Sequence, residues 1–184
     1  MIEIDDIILN APNKGFEDHF NDPRLKEGMV LEFGVASGGT INRIADILKD
    51  RTIYGFDSFE GIPEDWRPDI LKGNFACSVP EVRENVKLVI GMFNDTLPTF
   101  LQTHTDLIAA IHMDADLYSS TKTVFDNVKN QLVDGCIILF DEFMGYGGWE
   151  EHEAKAFFEF IEETGYKWEC ISKGGEQVSF IITK

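Results

Sequence analysis

The sequence predicts an α/β fold with a mainly parallel sheet, helices on both faces of the sheet and a C-terminal antiparallel hairpin. From about residue 29 onward, short apolar runs alternate with segments of helical periodicity, which is typical of strand–helix–strand units. The last two apolar runs flank Gly174-Gly175, which predicts a tight turn between antiparallel strands. The 184 residues fit one domain, with residues 1–28 as a short N-terminal extension.

Composition narrows the classes of partner. The net charge is −17, and the basic residues are scattered singly, so the sequence argues against a nucleic-acid partner. No apolar run is long enough to span a membrane, and the first residues lack the pattern of a secretory signal. Three widely spaced cysteines without a CxxC pair predict reduced thiols, so we expect a cytoplasmic protein.

Seven strands follow from the apolar runs. Each run is short, is bounded by glycine or charged residues and suits a buried sheet position. We expect five parallel strands at 29–33, 51–56, 86–90, 108–113 and 136–140, and the hairpin at 166–171 and 178–183.

Helical spacing of apolar residues predicts the elements between the strands. These helices are expected at 40–49, 95–102, 120–132 and 149–164, with a turn at Asp134-Gly135. Residues 58–85 are rich in proline, glycine and charge. They are expected to form a loop over the site, with one short helix near 80–84.

A glycine-containing loop follows the first predicted strand. Gly34 and Gly38 flank Val35-Ala36-Ser37, and Glu32 lies two positions before the first glycine. This spacing differs from the GxGxxG loop that holds a dinucleotide pyrophosphate. Free backbone groups here suit the amino-acid end of S-adenosylmethionine (SAM), so Glu32, Gly34, Ala36, Ser37 and Gly38 are candidate cofactor residues.

The next two strand ends supply further candidate cofactor residues. Asp57 ends the second strand about 20 residues after the glycine loop, where a carboxylate can accept both ribose hydroxyls. The alternative for Asp57 is a helix cap, and the alternative for the glycines is a generic turn. Ser58 and Gly91 adjoin the same strand ends, and Phe93 is expected near the adenine ring.

Acidic residues follow the fourth and fifth strands. Asp114, Asp141 and Glu142 are expected to converge at one sheet edge, where like charges repel unless a cation or protons intervene. Carboxylate ligands favour Mg²⁺ or another hard divalent cation over Zn²⁺. Such a cation aligns and acidifies a substrate hydroxyl, and a nearby carboxylate can take the proton. Asp116 is equally compatible with a site role and with capping the following helix.

Five sequence strings resemble the macrocin-type sugar O-methyltransferases, which are class I methyltransferases. The string around Asp114 is the most specific, and the resemblance runs from about residue 29 to the C-terminus. The family commonly has two aspartates and a tyrosine where this sequence has Asp141, Glu142 and Phe143. The strings are Glu32 to Gly39, Gly55 to Pro63, Gly91 to Pro98, His112 to Tyr118 with Ser120-Thr121, and Phe140 to Phe143.

The resemblance implies a function. Members methylate sugar hydroxyls of antibiotics with SAM and Mg²⁺, with Asp114 as metal ligand and base and with Asp141 and Glu142 completing the metal site. It also implies a Rossmann-like seven-stranded sheet and a homo-oligomer. We therefore expect metal-assisted O-methylation of a hydroxylated small molecule, a sugar or polyol-bearing metabolite. The alternatives are an NAD-binding oxidoreductase and a non-catalytic SAM-binding module.

Overall fold

A computed structural model describes residues 7–184, and in this part of the chain seven strands form one sheet. The order across the sheet is β3-β2-β1-β4-β5-β7-β6. The first five strands are parallel, and β7 is antiparallel to both β5 and β6, which confirms the predicted fold class. The strands are β1 (Met29–Phe33), β2 (Ile53–Asp57), β3 (Val86–Ile90), β4 (Ile108–Met113), β5 (Leu132–Phe140), β6 (Lys167–Gly174) and β7 (Gln177–Thr183).

Helices cover both faces of the sheet. One face carries an aromatic core. Phe157 contacts Phe125 and Phe180, and both of these rings also contact Phe140. The other face is packed with aliphatic side chains, Ile41 and Ile44 among them. The helices are α1 (Phe16–Phe20), α2 (Gly39–Ile47), α3 (Phe93–Thr103), α4 (Tyr118–Val128) and α5 (Glu153–Thr164), and a 3-10 turn spans Trp149–Glu151.

Two helix predictions were wrong in detail. No helix forms near 80–84, because side-chain bonds to Asn42 of α2 occupy this backbone: Asn42 binds the carbonyl of Glu81 and the N–H of Arg83. The helix expected at 149–164 is broken at His152, whose φ of −113° and ψ of −125° are not helical. The α-helix proper therefore begins at Glu153.

The turn predicted at Asp134-Gly135 is absent. Strand β5 begins at Leu132, four residues before the predicted start, and α4 ends at Val128. Gly135 takes a positive φ of 90°, and the pairing with β4 shifts nearby, from Ile108–Leu132 to Ala110–Ile137. A glycine in a strand marks such an irregularity as readily as it marks a turn.

No helix of the described residues has the length and apolar character needed to cross a bilayer. Cys77, Cys136 and Cys170 are all free thiols, as the sequence analysis expected.

Gly34 marks the point where the ends of β1, β2 and β4 meet. Its N–H donates to the carbonyl of Phe56 at 3.0 Å, and the N–H of Asp114 donates to the carbonyl of Phe33 at 2.8 Å. Gly34 has a positive φ of 90°, and a Cβ there would overlap the carbonyl oxygen of Asp114. Glycine is therefore required here by backbone contact between strands.

We expect Gly34→Ala to lower the free energy of unfolding by about 3 kcal/mol or more, because the new methyl group meets backbone that cannot rotate away and the φ is strained. Gly147→Ala is the matched control, since nothing lies within 4 Å of its Cβ position. It should change stability by less than about 0.5 kcal/mol. Urea denaturation measures both, and equal effects would contradict the packing argument.

Candidate active site

A cavity of about 550 Å³ opens at the carboxyl ends of the parallel strands. This is where open parallel sheets bind ligands. Its walls come from the ends of β1 to β5, the first turns of α3 and α4, and the segment 58–75. The lining residues are Gly34, Ala36, Asp57, Ser58, Gly61, Ile62, Pro63, Phe75, Gly91, Met92, Phe93, Asn94, Asp114, Ala115, Asp116, Ser119, Ser120, Thr123, Asp141 and Glu142.

Most candidate residues meet in this one cavity. The cofactor candidates that line it are Gly34, Ala36, Asp57, Ser58, Gly91, Phe93 and Asp114, and the metal candidates Asp141 and Glu142 join them. Glu32, Ser37 and Gly38 are outside the lining.

Glu32 lies beneath the glycine loop. It is fully buried, and its Oε1 is 2.8 Å from Nδ1 of His112, its register partner on β4. Gly38 precedes α2 with a φ of 81° and donates its N–H to the carbonyl of Val35. Glu32 and Gly38 therefore support the loop from outside the cavity.

Asp57 braces the glycine loop as well as facing the cavity. Its Oδ2 accepts the N–H groups of Val35 and Ala36, each at 2.8 Å, and its Oδ1 accepts the N–H of Phe59 at 2.7 Å. With the N–H groups of Gly34 and Gly38, four backbone donors of the loop are thus already used within the protein, so the free backbone groups that the sequence analysis expected are not found at these residues. Sequence analysis identified Asp57 as a ribose acceptor and missed this second role.

Phe93 lies three residues beyond the end of β3. It begins α3, lines the cavity and packs edge-on against Phe33, with ring centroids 5.3 Å apart. Gly91 adjoins it with a φ of 139° and donates its N–H to the carbonyl of Asp57. An aromatic face fixed by core packing suits contact with a planar base.

Three carboxylates form the acidic end of the cavity. One oxygen each from Asp114, Asp116 and Glu142 lies within 4.8 Å of the others. Burial raises the pKa of Asp114 to about 8, with Asp141 and Asp116 adding repulsion, and burial raises the pKa of Asp116 to about 7. Burial followed by the charges of Asp114 and Asp141 also raises the pKa of Glu142. The arrangement favours bound protons or a bound cation.

Asp116 joins the cluster because of its backbone conformation. Its φ of 62° turns the chain between β4 and α4, and its side chain makes no cap bond to that helix. Asp116 therefore does not cap α4, which was the alternative that the sequence left open. Left-handed conformation at a residue other than glycine is uncommon and concentrates at functional sites.

Glu153 is a fully buried carboxyl group that sequence analysis missed. Its Oε1 accepts the N–H of Ala115 at 3.3 Å, while its Oε2 has no hydrogen-bond partner. Burial raises its pKa well above the ordinary value. The available signal was helical spacing, since Glu153 shares the inward face of α5 with Ala156, Phe157 and Phe160.

Asp141 lines the cavity but lies outside the three-carboxylate cluster. Its Oδ1 accepts a hydrogen bond from Nε2 of Gln177, at the start of β7. The same oxygen is 4.0 Å from Nε2 of His112. Sequence analysis missed Gln177, because the contact spans 36 positions.

Five residues between 58 and 75 line the cavity, within the stretch 58–85 that the sequence predicts as a loop. Arg67 anchors this stretch, with its guanidinium 3.9 Å from the ring centroid of Trp66 and 3.7 Å from that of Tyr146. Arg67 also pairs with Glu176 at 2.7 Å, in the turn before β7. A guanidinium group suits both the cation–π contacts with the two rings and the ion pair with the carboxylate.

Comparison with known proteins assigns the family. The sequence model of a methyltransferase domain matches residues 31–143, which include the glycine loop and the acidic strand ends. The chain belongs to this methyltransferase family. The match agrees with the class I fold and with the resemblance found in the sequence.

Curated relatives are antibiotic O-methyltransferases. The chain is 32% identical over 142 residues to demethyldecarbamoylnovobiocin O-methyltransferase of Streptomyces niveus, covering 64% of this chain and 53% of the relative. It is 27% identical over 155 residues to mycinamicin III 3''-O-methyltransferase of Micromonospora griseorubida, covering 68% of this chain and 60% of the relative. The chain thus spans little more than half the length of these relatives.

Solved structures share the fold. The O-methyltransferase NovP superposes with a TM-score of 0.70 at 26% identity, covering 92% of this chain and 76% of NovP. The calicheamicin methyltransferase CalS11 superposes with a TM-score of 0.75 at 23% identity, covering 90% of this chain and 76% of CalS11.

The raised carboxyl pKa values predict a pH-dependent stability. Asp114 and Asp116 hold protons in the folded protein that they release when unfolded, where their pKa is about 4. Folding is therefore favoured at low pH, and metal-free stability should fall as the pH rises toward about 8. A divalent cation held by these carboxylates would displace their protons, so added Mg²⁺ is expected to raise the melting temperature at pH 8 and hardly at pH 5.5.

Scanning fluorimetry in EDTA and in Mg²⁺ measures both effects. Asp114→Asn should reduce the pH dependence and the Mg²⁺ gain, whereas Asp126→Asn, an exposed carboxylate on α4, should reduce neither. An Mg²⁺ gain of equal size at both pH values would contradict the prediction.

Proposed function

We propose that this protein is a SAM-dependent, divalent-cation-assisted O-methyltransferase that acts on a hydroxyl group of a sugar or another polyol-bearing small molecule. The observation that carries the proposal is the shared cavity. Cofactor candidates from β1, β2 and β3 line one part of it, and acidic residues after β4 and β5 line the adjoining part. A methyl donor and an activated hydroxyl group must meet in such a space.

SAM is proposed to lie across the ends of β1, β2 and β3. Asp57 lines the cavity, and its Oδ1, which among the described residues accepts only the N–H of Phe59, keeps a lone pair for a ribose hydroxyl. Phe93 would present a fixed ring to the adenine. Gly34 and Ala36 bring backbone to the cavity wall without a long side chain, leaving room for the methionine end of the cofactor. The family match supports this assignment.

The acidic end fits a hard divalent cation. All its donors are carboxylate oxygens, which Mg²⁺ prefers. Glu142 Oε2 is buried without a hydrogen-bond partner, so a positive ligand would satisfy it. We propose that Mg²⁺ is held by Asp114 and Glu142, by Asp116, whose oxygen lies within 4.8 Å of theirs, and by Asp141, which lines the cavity beside them.

The reaction needs an aligned, deprotonated oxygen. A bound Mg²⁺ would supply Lewis acidity that lowers the pKa of the acceptor hydroxyl. Asp114 then takes the hydroxyl proton as the oxygen bonds to the methyl carbon and the carbon–sulfur bond breaks, releasing S-adenosylhomocysteine. Ile62, Pro63 and Phe75 from the segment 58–75 give this space an apolar wall.

The cavity charge limits the acceptor. Asp57, Asp114, Asp116, Asp141 and Glu142 line it, and among the described residues no lysine, arginine or histidine does. An uncharged hydroxylated acceptor suits this surface better than a polyanion such as a nucleic acid. The curated relatives, named for methyl transfer to antibiotics and their sugars, support the same substrate class. We also propose a cytoplasmic location, consistent with the three free thiols.

Cofactor choice is testable without knowing the acceptor. S-adenosylhomocysteine should raise the melting temperature, and NADH should not, because the cavity is acidic where a pyrophosphate would need donors. Asp57→Asn should weaken this ligand effect, and Asp126→Asn is the matched surface control. Stabilisation by NADH alone would favour the oxidoreductase alternative.

Turnover tests the roles of the cation and of Asp114. A SAM-consumption screen of sugars and other polyols with Mg²⁺ should identify an acceptor, and EDTA should abolish turnover while leaving S-adenosylhomocysteine binding. Asp114→Asn should lower turnover by a factor of about 100 or more, because it removes both a ligand and the base. Full turnover of that variant, or of the wild type in EDTA, would overturn the proposed mechanism.

A further inference from the structure

A row of polar side chains crosses the sheet just below the cavity. Glu32 on β1 contacts His112 on β4, His112 faces Asp141 after β5, and Asp141 accepts a hydrogen bond from Gln177 on β7. Apolar residues fill the sheet around this row, including Phe140 and Leu139. The row runs from the strand before the glycine loop to the closing hairpin by way of His112 and Asp141.

Gln177 owes its position to the antiparallel hairpin. Phe140 pairs with Val178, so the first residue of β7 lies beside the residue that follows β5. The carbonyl of Glu176 fixes this alignment by accepting the N–H groups of Phe143 and Met144. The amide of Gln177 is thereby held against Asp141.

The contact leaves one carboxylate oxygen of Asp141 for a ligand. Gln177 donates to Oδ1, and His112 lies on the same oxygen at 4.0 Å. Asp141 lines the cavity, so Oδ2 is its available oxygen. Without a donor on Oδ1, repulsion from Asp114 and Glu142 would favour turning Asp141 away from them.

We infer that Gln177 is a positioning residue for the divalent cation, acting through Asp141. The inference rests on the cation site of the proposed function and adds to it a residue from outside the cavity. Hydrogen bonds to metal-binding carboxylates orient the ligand, and their loss lowers metal affinity about 10- to 100-fold. Gln177 therefore contributes to affinity without touching the ion.

Binding of Mn²⁺, followed by electron paramagnetic resonance, tests this without an acceptor. Gln177→Met keeps the length of the side chain and removes the donor, so we expect Kd to rise about 10-fold while S-adenosylhomocysteine affinity stays unchanged. Asp141→Asn should raise Kd as well, and adding Gln177→Met to it should have little further effect, since both act through one carboxylate.

Gln131→Met is the matched control. Gln131 also donates from Nε2, to the carbonyls of His104 and Asp106, but at the opposite end of the sheet. It should lower the melting temperature and leave the Mn²⁺ Kd unchanged.

The other possible outcomes of these binding experiments contradict the inference, the cation site or both. An unchanged Kd in Gln177→Met with a raised Kd in Asp141→Asn overturns the inference alone. An unchanged Kd in both variants overturns the ligand role of Asp141 and the inference with it. A wild type that binds S-adenosylhomocysteine but no Mn²⁺ overturns the cation site and the inference while leaving SAM binding. A loss of S-adenosylhomocysteine affinity in Gln177→Met equal to the loss of Mn²⁺ affinity would indicate general disruption and overturn the positioning role.

Discussion

The contact between the ends of β1 and β4 is the constraint on which the site depends. The backbone of Asp114 lies where a side chain at position 34 would be, and the N–H of Asp114 binds the carbonyl of Phe33. This contact sets the glycine loop directly beside the first carboxylate of the acidic end. The cofactor side and the acceptor side of the cavity therefore share one piece of backbone.

Burial of acidic groups is the cost of this arrangement. Asp114, Asp116, Glu142 and Glu153 all have raised pKa values because they are removed from water near one another. A carboxylate is expensive to bury unless a proton or a cation accompanies it. The aromatic core beneath the site, built around Phe140 and Phe157, supplies packing that offsets this cost. The carboxyl groups at the strand ends therefore lower the stability of the fold, and the aromatic packing beneath them raises it.

Local patterns predicted the fold better than the site. The strand positions were predicted to within a few residues, since short apolar runs indicate buried strands. The start of β5 was predicted four residues too late, because a glycine is compatible with a bulge as well as with a turn. The carboxylates after β4 and β5 were predictable because parallel strands end at one edge. Helical spacing in α5 was a usable signal for the inward carboxyl of Glu153. In contrast, the left-handed backbone of Asp116 and the amide contact of Gln177 depend on tertiary geometry or on contacts distant in sequence. No short window encodes them.

The bracing of the glycine loop by Asp57 has a thermodynamic consequence. Three backbone N–H groups already bind this carboxylate in the free protein, so the loop has its shape before a ligand arrives. Association then requires little loss of backbone conformational entropy in the loop, and more of the contact energy appears as affinity. The side chain that holds the loop in shape is also part of the cavity wall beside it.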